Sequence, residues 1–218
     1  MWDRTTVKVE FTLIRHGATV SNKEKRYLGR TEESLSKEGR EQMLHCKEAL
    51  KAPKADILFV SPMKRCQESA LLLFSDKPYF VIEEWKEMDF GRFEGKNYRD
   101  LKEDSYYQKW IDSQGTLPFP DGESQEIFVQ RNLEGLKKAK QILESCLSCH
   151  PKEEAEVFRV AAVVHGGTIM ALMQYLLKGE YFSYQAANAC GYHLSGKLIL
   201  LNGKIKRLQI NDVEETGC

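Results

Sequence analysis

Val7-Lys-Val-Glu-Phe-Thr-Leu-Ile14 alternates apolar and polar positions before closing on two apolar residues. That period of two predicts a strand, and the strand delivers Arg15-His16-Gly17. Ser36 precedes a helix-like pattern over Lys37–Leu50, with Ser36 as N-cap and Met43, Leu44 and Leu50 facing inward. Asp56-Ile-Leu-Phe-Val60 is a short continuous apolar run, as in a strand buried on both faces. Ser61-Pro62 then reads as the N-cap and first residue of a helix to about Phe74. Tyr79–Ile82 predicts another strand, 83–95 has no strand character, and a short helix is expected over Asn97–Ile111. Leu117–Gly122 reads as a turn-rich linker. Beyond it, Val129, Leu133, Leu136 and Leu143 form a helical stripe. Val157–Val164 predicts a second buried strand, delivering His165-Gly166-Gly167. Thr168–Lys178, apolar nearly all round, predicts a buried helix ended by Gly179. Tyr192–Leu194 and Leu198–Leu201 read as closing strands, with Asn202-Gly203 as a hairpin turn.

Strands alternating with helices predict an α/β fold: a three-layer α/β/α sandwich around a mainly parallel sheet. The 218 residues suffice for a single domain. The strandless stretch at about 90–150 predicts a small helical cap inserted over one end of the sheet.

Charge narrows the function classes. Lys plus Arg equals Asp plus Glu at 32 each, so no overall basic field recommends nucleic acid or an anionic membrane. A site for an anion must therefore be built from local arginines. The longest apolar runs, Val160–Val164 and Ile169–Leu177, are too short and too interrupted to span a bilayer. Met1–Thr6 lacks the apolar core of a signal peptide, and a cytoplasmic location is expected, with the six cysteines reduced. Cys146-Leu-Ser-Cys149-His150 spells a haem attachment pattern. Without an export signal or a second ligand pair nearby, it reads as coincidence, and no metal or cofactor is expected.

The chemistry-bearing pattern occurs twice: an apolar strand, then His, then Gly, at His16-Gly17 and at His165-Gly166-Gly167. Carboxyl ends of parallel strands are where α/β folds bind ligands. The glycines let bare amides approach an anion. Either histidine alone would read as a core residue at a strand end; the repetition, with Arg15 directly before His16, argues otherwise. Arg65, in the first turn of the helix after Val60, should reach the same sheet edge. Two guanidiniums suit an oxyanion's several oxygens.

These elements resemble the histidine phosphatase superfamily, the phosphoglycerate mutase-like group. Arg15-His16-Gly17-Ala18-Thr19 with Asn22 matches its Arg-His-Gly-x-Thr/Ser signature. Arg26-Tyr27-Leu28-Gly29 and Leu35-Ser36-Lys37-Glu38-Gly39 look like its next segment. Ser61–Ala70 is similar to its second-arginine motif, Glu87-Met-Asp-Phe-Gly91 with Glu94-Gly95 to its acid loop, and Val164–Gly167 to its second histidine. The resemblance implies a metal-independent phosphomonoester hydrolase in which His16 becomes phosphohistidine. Arg15, Arg65, Asn22 and His165 hold the phosphoryl oxygens, His165 best protonated. Gly17, Arg26, Tyr27, Gly29 and Gly166 contribute to substrate binding, and Glu87 protonates the leaving group, with Glu83, Glu84 and Asp89 competing for that role. The acid loop and the stretch Tyr107…Trp110 followed by Phe119–Ser124 are similar to α-ribazole phosphatases of cobalamin assembly and broad-specificity relatives. Glu123, Ser124 and Arg131 are candidates for the cap edge. Ala18, Val20 and Arg30–Leu35 depart from the common pattern, away from the phosphate pocket. The implied partner is a small phosphate ester, and a homodimer is compatible. Two alternatives stand: a cofactor-dependent phosphoglycerate mutase and a non-catalytic phospho-ligand binding protein.

Overall fold

The computed structural model describes residues 4–50, 53–75, 77–149 and 157–216. Six strands form one sheet in the order β3-β2-β4-β1-β5-β6. They are β1 Arg4–Arg15, β2 Ile57–Val60, β3 Phe80–Val81, β4 Val157–Val164, β5 Gly191–Leu201 and β6 Lys204–Thr216. The pairs β3·β2, β2·β4 and β4·β1 are parallel, and β5 runs antiparallel to both β1 and β6. The helices are α1 Val20–Lys23, α2 Lys37–Ala49, α3 Lys64–Phe74, α4 Tyr98–Leu101, α5 Ser105–Asp112, α6 Gln125–Cys149 and α7 Gly166–Leu177.

Strand alternation sorts the core into two layers. Val9, Leu13, Ile57, Phe59, Val160, Ala162 and Val164 point to the face covered by α6 and α7. Ile14, Leu58, Val60, Ala161 and Val163 point to the face covered by α2 and α3. The sandwich is three-layered because β2 and β4 lie inside the sheet and bury both faces. After β1 the chain turns to the α2 face, whereas after β4 it turns to the α7 face. Neighbouring strands whose connections leave on opposite faces open a crevice at their carboxyl ends. Register fixes what lines it: Arg15 is level with Val164, and Val60 with Val163. The next residues, His16, Ser61 and His165, therefore emerge side by side.

A third cluster is aromatic. Phe93, Tyr107 and Phe119 bury themselves with Phe128, Ala171 and Tyr181, and Tyr27, Phe90 and Trp110 pack around them. Residues 91–124 hold no strand and supply four of the eight buried members of this cluster, Phe93, Leu101, Tyr107 and Phe119, whereas α6 continues beyond it along the sheet through Ala139, Leu143 and Leu147.

Several local expectations are corrected. Leu44 faces outward, 47% exposed, because the inward line of α2 is Gly39, Met43 and Cys46. The α6 stripe keeps Leu143 but is otherwise displaced by one position, to Phe128, Asn132 and Gly135 in place of Val129, Leu133 and Leu136. The displacement follows from Gly135, where any Cβ would stand 2.5 Å from the Trp85 indole nitrogen, so this face seats Trp85 directly. Helix α3 starts at Lys64 with Met63 as its N-cap, not at Pro62. The helix expected over 97–111 is two, because Asp104 caps a fresh start with its carboxylate on the amides of Tyr106 and Tyr107. Helix α7 ends on Lys178 itself in the left-handed region at φ 60°, not on Gly179. The expected strand at Tyr79–Ile82 shrinks to Phe80–Val81. The two closing strands are one, β5, and the Asn202-Gly203 turn, both residues at positive φ, leads into β6, whose sparse apolar positions gave no strand signal.

Candidate active site

His16 is buried, and its Nδ1 lies 2.8 Å from the carbonyl oxygen of Gly17. A carbonyl only accepts, so Nδ1 carries the proton and Nε2 is left with a bare lone pair. Burial, then the charges of Arg65 and Arg15, push this imidazole well below the usual histidine range, so it stays neutral. Gly17 can turn here because it has no side chain: a Cβ would sit 2.4 Å from the Gly39 carbonyl. Its amide is fixed by Ser69 Oγ at 3.1 Å.

The His165 ring stands edge-on to that of His16, centroids 5.2 Å apart. His165 caps α7 without a side-chain bond to the helix, so the first amides of α7, on Gly166 and Gly167, remain available to an anion. Gly166 lies against the Arg15 guanidinium, where a Cβ would be 3.4 Å from its Nε. Ser61 Oγ is 2.8 Å from His165 Nε2. The same hydroxyl also accepts from Met63 N at 3.3 Å, ahead of the α3 start at Lys64. Burial and then Arg65, His16 and Arg15 hold His165 well below its usual range, which disfavours the protonated form expected from the sequence.

Two arginines converge on the same volume. Arg65 is completely buried, with Nη2 donating to the Gly29 carbonyl at 2.7 Å and Nη1 to that of Thr31 at 3.1 Å. Arg15 Nη1 donates to the Ala186 carbonyl at 2.8 Å. Among the described residues, the Nε atoms of both have no hydrogen-bond partner although buried. An oxyanion satisfies such orphan donors, whose desolvation is otherwise uncompensated. Asn22 belongs to the same corner: its Oδ1 accepts from Thr19 N and from Asn188 Nδ2, which leaves its Nδ2 as the donating end. Asn188, which also donates to the His16 carbonyl, carries no motif that marks it in the sequence.

Glu87 is the carboxylate that reaches this cluster. Its Oε2 is 3.8 Å from His165 Nδ1, and its Oε1 accepts from Met88 N at 2.9 Å. Burial raises its carboxyl above the ordinary glutamate range, opposed by the Met88 amide and the arginines. Its competitors are engaged elsewhere: Glu83 with Lys86, Glu84 with Lys138, Asp89 with Arg30.

The remaining candidates stand further out. Gly29 holds Arg65 through its carbonyl and receives Glu94 on its amide; a Cβ would meet the Met88 carbonyl at 2.1 Å. Arg26 is not brought into the cluster, since its guanidinium is taken by Glu24, Asp100 and the Gly95 carbonyl. Tyr27 lies in the aromatic cluster, its hydroxyl 3.4 Å from that of Tyr107. Ser124 accepts from Ile127 N in the first turn of α6. Cys146 and Cys149 are free thiols, and His150 lies outside the described residues.

The family model of the histidine phosphatase superfamily (branch 1) matches residues 11–197. The chain belongs to the histidine phosphatase superfamily. Among members of that superfamily, it is 35% identical over 124 residues to the adenosylcobalamin/alpha-ribazole phosphatase of Escherichia coli, covering 55% of this chain and 61% of that protein. The crystal structure of the alpha-ribazole phosphatase from Shigella flexneri superposes with a TM-score of 0.70 at 25% identity, covering 93% of this chain and 95% of the other. A mutant phosphoserine phosphatase from Entamoeba histolytica in complex with phosphoserine gives 0.65 at 26% identity, covering 95% and 98%. No helix among the described residues of this histidine phosphatase superfamily member is long and apolar enough to cross a membrane.

Proposed function

We propose that this chain hydrolyses phosphomonoesters in two steps through a phosphohistidine on His16 Nε2. The observation that carries the reading is the tautomer: the Gly17 carbonyl holds the His16 proton on Nδ1, leaving a neutral nucleophilic nitrogen beside buried Arg65 and half-buried Arg15, each with an unpaired Nε. In the first step Nε2 attacks phosphorus in line, the ester P–O bond breaks, and Glu87 gives its proton to the departing oxygen. Arg15, Arg65, Asn22, His165 and the first amides of α7 neutralise the equatorial oxygens, where phosphoryl transfer depends most on charge and positioning. In the second step Glu87 takes a proton from water, whose oxygen attacks the phosphohistidine and restores His16. No step requires a metal ion.

For the leaving group, α-ribazole 5′-phosphate is the first substrate to test, on the strength of the relatives in Escherichia coli and Shigella flexneri; broad phosphomonoesterase activity is the next reading. The free cysteines Cys66, Cys146, Cys149 and Cys190 support a reducing, cytoplasmic setting. The discriminating assay offers the purified protein α-ribazole phosphate, phosphoserine, 3-phosphoglycerate and an aryl phosphate in EDTA. Inorganic phosphate should be released, fastest from α-ribazole phosphate. Transfer between positions of phosphoglycerate without net phosphate release would make the protein a mutase instead. Tight binding of phosphate esters without turnover of any would make it a binding protein.

The two shifted groups set a pH profile. His16 must be neutral, and its lowered pKa keeps it so down to acidic pH. Glu87 must be protonated in the first step, and its raised pKa extends that form upward from the ordinary glutamate range. For an ester with a poor leaving group, kcat/KM should therefore fall as pH rises through the Glu87 pKa. In Glu87→Gln that fall should vanish, with a rate about 10²-fold lower at the wild-type optimum. An unchanged alkaline limb in Glu87→Gln would assign the limb to another group.

A further inference from the structure

The loop that carries Glu87 has no regular structure after the tight turn at Glu83–Trp85 until the one at Gly91–Phe93. Its shape is imposed from outside by α6. Arg131 sends Nη1 to the carbonyls of Glu84 at 2.6 Å and Lys86 at 3.0 Å, and Nη2 to that of Glu87 at 3.3 Å. The same guanidinium grips Glu123 on both oxygens, Nε to Oε1 at 2.9 Å and Nη2 to Oε2 at 2.8 Å. Glu123 in turn accepts from Asp89 N at 2.9 Å and from Arg30 at 3.0 Å, while its own amide donates to the Asp89 carbonyl. Arg30 closes the ring by pairing with the Asp89 carboxylate at 3.1 Å. The loop is thus held on both sides of residue 87, by Arg131 before it and by Glu123 after it.

We infer that Arg131, locked by Glu123, is a positioning residue for the proton transfers of Glu87. The inference rests on the hydrolase reading above. Among the described residues, the hydrogen bond that holds the Glu87 carboxylate comes from Met88 N and travels with the loop. Among the described residues, the hydrogen bond that Glu87 receives from outside the loop is the one from Arg131. A planar fork is needed because three carbonyls and a carboxylate must be met in fixed directions; a lysine ammonium cannot span them. Displacement of a proton donor by an ångström is enough to cost about 10²-fold in rate.

Such a role has a signature that loss of folding does not share. Phosphorylation of His16 by p-nitrophenyl phosphate expels a group stable without a proton, whereas β-glycerophosphate expels an alkoxide that needs one. Arg131→Lys should lower kcat/KM for β-glycerophosphate about 10²-fold while leaving that for p-nitrophenyl phosphate within about threefold. Adding the substitution to Glu87→Gln should cost nothing further on either ester. Glu123→Gln, which loosens the grip on Arg131 while keeping the side-chain shape, should move the ratio in the same direction and carries the test if Arg131→Lys does not fold by circular dichroism. Equal losses on both esters, in whichever variant folds, would overturn the inference and leave the hydrolase reading standing. A wild-type protein that turns over neither of these esters nor α-ribazole phosphate would overturn both.

Discussion

Replacing His16 with alanine should reduce phosphate release from every ester to the background rate, a loss on the order of 10⁴-fold or more. The size follows from the role: without Nε2 no covalent intermediate forms, and water is not positioned for direct attack. Arg15, Arg65 and His165 keep their partners in the Ala186, Gly29 and Thr31 carbonyls and in Ser61. The variant should therefore still bind a phosphate ester, and a competitive binding assay with inorganic phosphate should find affinity within about tenfold of wild type, since the charges that dominate anion binding remain. Activity that survives in His16→Ala would remove the phosphohistidine from the mechanism.

The second large effect belongs to Arg65. Arg65→Lys retains the charge but loses the fork that joins the Gly29 and Thr31 carbonyls to the phosphate volume, and kcat/KM should fall on the order of 10³-fold. Arg65→Ala should cost stability as well, because two buried carbonyls lose their donor and the side chain leaves a cavity; a loss of about 3 kcal/mol or more is expected by urea unfolding. A lysine variant with near-normal kcat/KM would place the phosphate elsewhere than against Arg65.

The candidate site was unusually readable because it lies where local patterns end. An alternating run closing on two apolar residues marks β1 and continuous apolar runs mark β2 and β4; the register of the parallel pairs places whatever follows them on one edge, so His16 and His165 meet although 149 positions separate them (165 minus 16). Arg65 was legible through its place just inside a helix after such a strand. Glu87 among four nearby carboxylates was legible only by resemblance, since what singles it out is that Lys86, Lys138 and Arg30 occupy the others. Arg131 and Asn188 were hardest to read. The bonds from Arg131 to the carbonyls of residues 84, 86 and 87, and from Asn188 to that of His16, join residues more than forty apart in sequence, and no spacing or period encodes such pairings. Ser61 shows the opposite error: a good helix cap by local chemistry, it instead bonds Met63 N before the helix begins and meets the His165 ring at 2.8 Å, a neighbour only the sheet edge supplies. The sparse apolar positions of β6 failed as a signal because much of that strand faces water at the sheet edge.

The central claim is the covalent intermediate. Wild-type protein mixed with an aryl phosphate and quenched in alkali within the first turnover should carry one phosphoryl group, stable to base and lost in acid, on the peptide containing His16. The same quench of His16→Ala should carry none. A label on a different residue, an acid-stable label, or wild-type turnover that never passes through a labelled protein would contradict the mechanism.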